Sequence, residues 1–419
     1  MNTTTGDQRL PQTGRSTTDQ LRQSLAKGVV GVALLEVERA ATGHGTPRAV
    51  NEALARAITG GVTASPDAHL YYGAPAVAFA IAGADRYLAG DYSAALATLD
   101  DMVADIVRAR LTAAHVRIDA RQLPALSEFD TIRGLAGLGG HLLRRDHTTP
   151  LLRDILDYLV RLTQPIWNDG DELPGWWTDL GPGGNPSPDF PGGHANTGMA
   201  HGIGGPLALL ALTAMTGVTV PGHREAIQRI RDWLDRWQQT TDTGPDWDRT
   251  MTSSAWWPYW ITRTELRTGQ LQQRGPQRPS WCYGTPGLAR AQQLAAIATS
   301  DDAWQHAAET AIADALEDEH QVAMITDNSL CHGLAGAAHI ARLAAADSCA
   351  PARLNRIADQ LAASADRQRP SSADQAESTG EDPGFLEGAT GTALALRAHL
   401  LRSAPVTSWD TSLLINAPS

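Results

Sequence analysis

Trp281-Cys282-Tyr283-Gly284-Thr285-Pro286-Gly287 and Leu330-Cys331-His332-Gly333-Leu334-Ala335-Gly336 share one form. In each, a Cys stands one residue ahead of a polar ring, Gly-x-x-Gly follows, and an apolar Ala/Leu run begins. The chain has three Cys, and two of them occupy this matched place. His332 follows Cys331 directly. Two thiolates and an imidazole are the protein ligands of a zinc site that keeps one position for water or substrate.

The pattern recurs, which points to a repeat architecture. Gly-x-x-Gly ahead of an apolar run starts at Gly28, Gly134, Gly202, Gly284, Gly333 and Gly388. Gly73-Ala74-Pro75-Ala76 is a seventh copy, with Ala in the second glycine's place. The starts lie 45 to 82 residues apart, which leaves room for two helices and their loops. The segments between (19–26, 46–58, 91–110, 151–162, 223–237, 301–318 and 352–367) carry charge on one face and Leu, Ala or Ile on the other, at helical spacing. A helix apolar all round must be buried on all sides, whereas an amphipathic one keeps a wet face. The closed solution is an all-α double ring, an (α/α)7 toroid with seven inner and seven outer helices. It is expected as one domain over 19–404, with a disordered N-terminal tail at 1–18 and a C-terminal tail at 405–419. Crowding of the inner helices at one rim explains the small residues there.

The register places the chemistry. The residue before the first glycine is Lys27, Tyr72, Arg133, His201, Tyr283, His332 and Glu387, all polar. Cys282 and Cys331 come one place earlier in consecutive repeats, so neighbouring inner helices bring the two thiols together.

Composition narrows the partners. The 419 residues hold 34 Lys+Arg against 46 Asp+Glu, a formal net charge of −12, which argues against a nucleic-acid partner. No apolar run approaches the ~20 residues of a membrane span, and the N-terminus lacks the apolar core of a signal peptide. Three Cys make no disulfide framework, so a reducing cytoplasm is expected. Connections 164–196 and 240–279 are long, and loops of that length in a compact domain are usually functional or disordered. Eight of the twelve Trp lie between Gln164 and Trp281, outside the outer helix that holds Trp233 and Trp237. Disordered segments avoid Trp, so both loops are expected to fold and roof the polar rim, with Trp256 and Trp257 in a groove wall. A third loop, 368–383, is polar and acidic without aromatics and reads as mobile.

These motifs have a familiar look. His201-Gly202-Ile203-Gly204-Gly205-Pro206, Trp281-Cys282-Tyr283-Gly284, Cys331-His332-Gly333-Leu334-Ala335-Gly336 and Gly384-Phe385-Leu386-Glu387-Gly388 resemble the lanthionine synthetase C-like family, over roughly Gly28 to Leu401. Gly204 stands where that family usually has Pro. The resemblance implies zinc on Cys282, Cys331 and His332. It implies His201 as an acid–base residue, Asp130 as its orienter or as acceptor of the substrate thiol proton, and Arg278 as a cation that offsets enolate charge. Tyr283 lies on the same rim and is expected to hydrogen-bond near the metal. The implied reaction is addition of a peptide Cys thiol to a dehydroalanine or dehydrobutyrine, giving a thioether ring. The partner is then a dehydrated precursor peptide, leader plus core, with dehydration done by a separate dehydratase. A leader with some Lys or Arg suits the acidic chain. The rival readings are an enzyme that adds glutathione to dehydrated protein residues, a prenyltransferase-type helical ring, and a peptide-binding scaffold with structural zinc. His194 and Cys349 read as structural.

Overall fold

Seven helices begin at the repeated glycines: Val29–Ala41, Ala74–Tyr87, Leu135–Arg145, Gly204–Met215, Thr285–Thr299, Leu334–Ala346 and Ala389–Leu401. This is a computed structural model, and it describes residues 21–88, 92–241, 254–368 and 383–418. Each of the seven packs on the next, and Ala389–Leu401 packs back on Val29–Ala41, closing a ring. Their sequences require such a position. In Gly204–Met215 every residue from Gly204 to Thr213 is buried, and a helix with no wet face is stable only inside.

Outside this ring run Pro47–Ala57, Ser93–Asp119, Pro150–Leu162, His223–Trp237, Asp302–Glu317 and Ala352–Gln368. Pro150–Leu162 shows the logic. Leu151, Leu152, Ile155, Leu156, Leu159 and Leu162 are buried on one face, while Arg153, Asp154 and Asp157 stay exposed. The outer set departs from expectation at 23–26, within the stretch expected as helix at 19–26. Of that stretch only 21–26 is described; Leu21 and Arg22 are helical, the chain then turns, and Ser24 bridges Tyr72. Leu25 is engaged through its amide to the Tyr71 carbonyl at 3.0 Å, which takes this segment out of helical pairing. Six outer helices are present among the described residues. The tail expected at 1–18 and residues 369–382 of the third loop lie outside the described residues.

The glycines serve a different contact from the one expected. A Cβ on Gly287 would lie 2.1 Å from the Trp281 carbonyl oxygen, and one on Gly336 would lie 2.0 Å from that of Leu330. The crowding is therefore between each helix's first turn and its own preceding loop, more than between neighbouring helices. That loop folds back over the helix start, and the Gly287 and Gly336 amides each donate to a loop carbonyl, Ser280 and Ser329, at 3.2 Å.

The described parts of the two long connections, 164–196 and 254–279, are folded against each other, while 242–253 lie outside the described residues. His194–Asn196 pairs antiparallel with Trp260–Thr262, Asn196 opposite Trp260. Trp256 and Trp257 do not wall a groove. They are buried, and Trp257 Nε1 donates to the Leu234 carbonyl at 3.1 Å, so they anchor the roof to an outer helix.

The C-terminal stretch is no tail. Residues 405–415 are almost wholly buried and end in a 3-10 turn, Trp409–Leu413. The segment threads the lumen of the ring. Glu38 accepts the amides of Val406 and Thr407 at 3.1 and 2.9 Å. Arg144 donates to the Thr407 carbonyl at 2.7 Å. Further up, Tyr71 Oη donates to the Ser412 carbonyl at 2.9 Å, and Trp281 Nε1 to that of Leu413 at 3.0 Å. Trp409 stacks on His339 at 4.6 Å between ring centroids, and His339 Nε2 lies 3.0 Å from Asp410 Oδ2. A ring of seven helices leaves a central void, and close packing requires it to be filled.

Trp409→Ala should therefore lower stability by about 3–5 kcal/mol, the cost of emptying a large core site. Leu400→Ala, on an exposed side chain, should stay within about 0.5 kcal/mol. Chemical denaturation measures both. Equal midpoints for Trp409→Ala and wild type would mean that the segment is not part of the core.

Candidate functional site

The rim loops are tied laterally, repeat to repeat. The Thr131 amide donates to the Ala200 carbonyl (3.2 Å), Ala200 to Cys282 (3.2 Å), Cys282 to Cys331 (3.3 Å), Cys331 to Leu386 (2.9 Å) and Leu386 to Ala26 (3.1 Å). Thr131 aside, which stands three places before its glycine, every member stands two places before, so the belt holds equivalent positions of neighbouring repeats at one height. The two matched cysteines thus become direct neighbours.

One donor atom each from Cys282, Cys331 and His332 lies within 4.8 Å of the others. A tetrahedral zinc with sulfur at ~2.3 Å and nitrogen at ~2.0–2.1 Å sets its ligand atoms roughly 3.5–4 Å apart, so the cluster fits after a small closure. The donor chemistry fits as well. Hydrogen bonding from Cys331 holds the Cys282 thiol well below its ordinary range, against the effect of burial. Cys331 is pushed well up by that same contact and by burial. One thiol of the pair is thereby already disposed to ionise. Ser280 Oγ lies 3.6 Å from Cys282 Sγ. Cys349 is exposed and outside the cluster.

His332 Nε2 lies 3.2 Å from Asp327 Oδ2, which leaves Nδ1 for a metal. Asp327 first, then Cys282, raises the imidazole to about 9. Burial works against Asp327 ionising, yet the contacts to His332 and Ser329 hold it far below the usual carboxylate range. A carboxylate behind a ligating imidazole fixes its tautomer and ring orientation.

On the adjoining stretch of rim, His201 Nδ1 lies 2.7 Å from Asp130 Oδ2. Asp130 is fully buried. Its other oxygen accepts the amides of Arg133 and Gly134 at 2.6 and 2.8 Å. Asp130 thus holds the His201 ring through one oxygen and places negative charge at a helix start through the other. The His201 and Tyr283 ring centroids are 6.3 Å apart. Tyr283 Oη accepts from Asn196 Nδ2 at 3.2 Å. Burial pushes the Tyr283 phenol up to about 12, so it stays protonated at neutral pH. Tyr259 and Trp260, from the second long loop, stand 5.3 and 6.3 Å from the Tyr283 ring and roof the site. Arg278 is half-buried, and its charge acts on Cys331, His332 and Tyr259. Its side chain makes no ion pair or hydrogen bond among the described residues. His194 is buried with Nδ1 at 2.9 Å from the Leu180 carbonyl, a packing role.

All seven residues singled out in the sequence therefore lie around one rim. Sequence reasoning missed Asp327, Asn196 and Ser280. A signal was present. Six places before the first glycine the repeats carry Arg22, Asp67, Glu128, Asn196, Arg278, Asp327 and Asp382, polar without exception. Asn196 and Asp327 even make the same local turn, accepting the amides of Gly198 and Ser329 at 3.0 and 2.8 Å.

The model of the lanthionine synthetase C-like protein family matches residues 19–414. The chain belongs to the lanthionine synthetase C-like family. Among curated proteins it is similar to the nisin biosynthesis protein NisC of Lactococcus lactis subsp. lactis, 23% identical over 219 residues. That match spans 52% of this chain and about half of the relative, 49%. Among solved structures, nisin cyclase superposes with a TM-score of 0.77 at 20% identity, covering 94% of this chain and 92% of that one. The fold is thus the helical toroid of nisin cyclase. Among the described residues no helix is long and apolar enough to cross a membrane.

Asp327→Asn should weaken metal binding about ten- to a hundredfold, the usual effect of losing a partner behind a ligating imidazole. Competition with a chromophoric chelator reads this directly. Unchanged affinity would show that Asp327 does not orient His332.

Proposed function

We propose that this chain is a zinc-dependent lanthionine synthetase that adds Cys thiols of a dehydrated peptide to dehydroalanine or dehydrobutyrine, closing (methyl)lanthionine thioether rings. The observation that carries this reading is the meeting, on one rim, of a three-donor metal cluster with an oriented imidazole. A scaffold with structural zinc needs the first and not the second. A prenyltransferase-type ring has no use for the acid.

Cys282, Cys331 and His332 would hold zinc, which supplies a Lewis acid that lowers the pKa of a substrate thiol from ~8.5. The remaining chemistry falls to the chain's own side chains. Sulfur adds to Cβ of the alkene, the π electrons move toward the carbonyl, and an enolate forms. Arg278, a cation with no ion pair or hydrogen bond among the described residues, offsets that charge without donating a proton. His201 then delivers a proton to Cα. Asp130 holds Nδ1, so Nε2 is the nitrogen free to face substrate. Tyr283 stays a neutral donor between His201 and the cluster. Tyr259 and Trp260 shield the site from water. The thiol proton lost and the Cα proton gained balance, so no redox partner is required. The substrate is a precursor peptide already dehydrated by another protein, and three free cysteines fit the reducing cytoplasm expected for it.

His201→Asn should keep its zinc and lose about 10²–10⁴-fold in ring closure, the range for a general acid. The test follows free thiol in a dehydrated peptide, with glutathione present as competitor. Normal turnover in the variant would make His201 structural. Consumption of glutathione in preference to the peptide thiol would replace the cyclase reading with the glutathione-adding one.

A further inference from the structure

A cavity of about 150 Å³ opens beside the acid–base pair. Its wall includes Asp130 and His201, and also Ser127, Arg133, Gly183 and Gly184. Asp130 and His201 are engaged with each other at 2.7 Å. Arg133 is not engaged in that way. Its backbone is held at both ends, the amide by Asp130 Oδ1 at 2.6 Å and the carbonyl by the Arg110 guanidinium. Its side chain is exposed and makes no ion pair or hydrogen bond among the described residues.

Arg110 shows what a structural arginine does at this corner. It donates to the carbonyls of Pro66, Ala68, Ser127 and Arg133, stitching two rim loops together. Its donors are used. Arg133 keeps a full fork of donors on a fixed backbone, facing a cavity that already contains the acid. The wall leaves room at Gly183, where a built Cβ would meet nothing within 4 Å. A guanidinium fork matches a carboxylate geometrically and repels a cation.

We propose that this cavity is a subsite for an acidic side chain of the peptide, Asp or Glu, flanking the dehydrated residue, with Arg133 as its specificity-determining cation. The proposal rests on the cyclase reading for the nature of the substrate. It assigns the subsite a preference opposite to the one the acidic net charge of the chain suggests, because the local unpaired charge is positive. Ser127 supplies a hydroxyl to the same ligand.

The probes are two labelled dehydrated peptides identical except for Glu or Lys next to the dehydroalanine. Binding is measured by fluorescence anisotropy, and ring closure by free thiol, in wild type and in Arg133→Glu. Wild type should bind the Glu peptide about five- to tenfold tighter, the scale of an ion pair in a partly open cleft. Arg133→Glu should reverse the order, with zinc content and helicity unchanged. Equal Kd values in wild type, or an unreversed order in Arg133→Glu, would overturn the subsite. A Glu preference in Kd with neither peptide closing would support the subsite and count against the cyclase reading, so the two failures are separable.

Discussion

The Cys282 amide donates to the Cys331 carbonyl, and much of the site depends on that contact and its counterparts around the rim. An inner helix in a toroid is free to slide along its axis unless something sets its height. Here the loops ahead of the helices are hydrogen-bonded sideways, repeat to repeat. Identical offsets from the repeated glycine then mean identical heights. Two cysteines two places before a glycine in consecutive repeats have no option but to be neighbours. A slip of one residue would bring Tyr283 against Cys331 and dismantle the cluster. The same belt passes from Cys282 through Ala200 to Thr131, which carries the height setting from the metal cluster to His201 and Asp130.

The lumen plug bears on the belt from below. Trp281 sits between the belt and the C-terminal segment, its amide to the Cys331 carbonyl at 3.1 Å and its indole to that of Leu413 at 3.0 Å. Filling the lumen therefore does more than remove a void. It supports the loop that carries Cys282. Preorganisation of this kind separates a metal site from a pair of cysteines that happen to lie nearby.

What the sequence disclosed followed from repetition. Seven polar residues in one register, ahead of seven apolar helices, pointed to the ring, the rim and the Cys282, Cys331 and His332 trio that could hold a metal, without any single motif having to be strong. Features that do not repeat were hidden. The stretch Thr407-Ser408-Trp409-Asp410-Thr411-Ser412 is short, polar and without period, so it reads as a tail, yet its polar groups satisfy side chains inside the ring. Trp256 and Trp257 looked like groove walls because aromatic residues in loops suggest binding, whereas the structure turns them inward and sets Tyr259 and Trp260 over the site. Asp327 and Asn196 were legible only by extending the register outward to the sixth place. The segment at 19–26 has helical spacing, but in its second half Ser24 and Leu25 are claimed by the rim.

The most direct measurement is the metal content of the purified chain and of Cys331→Ala, by atomic absorption, with circular dichroism alongside. Equimolar zinc in the wild type, none in Cys331→Ala, and the same helical signal in both are the expected results, since packing of the ring and its plug, not the metal, dominates a core of this size. Full zinc in Cys331→Ala, or none in a wild type supplied with the metal, would contradict a rim whose register exists to join these two cysteines.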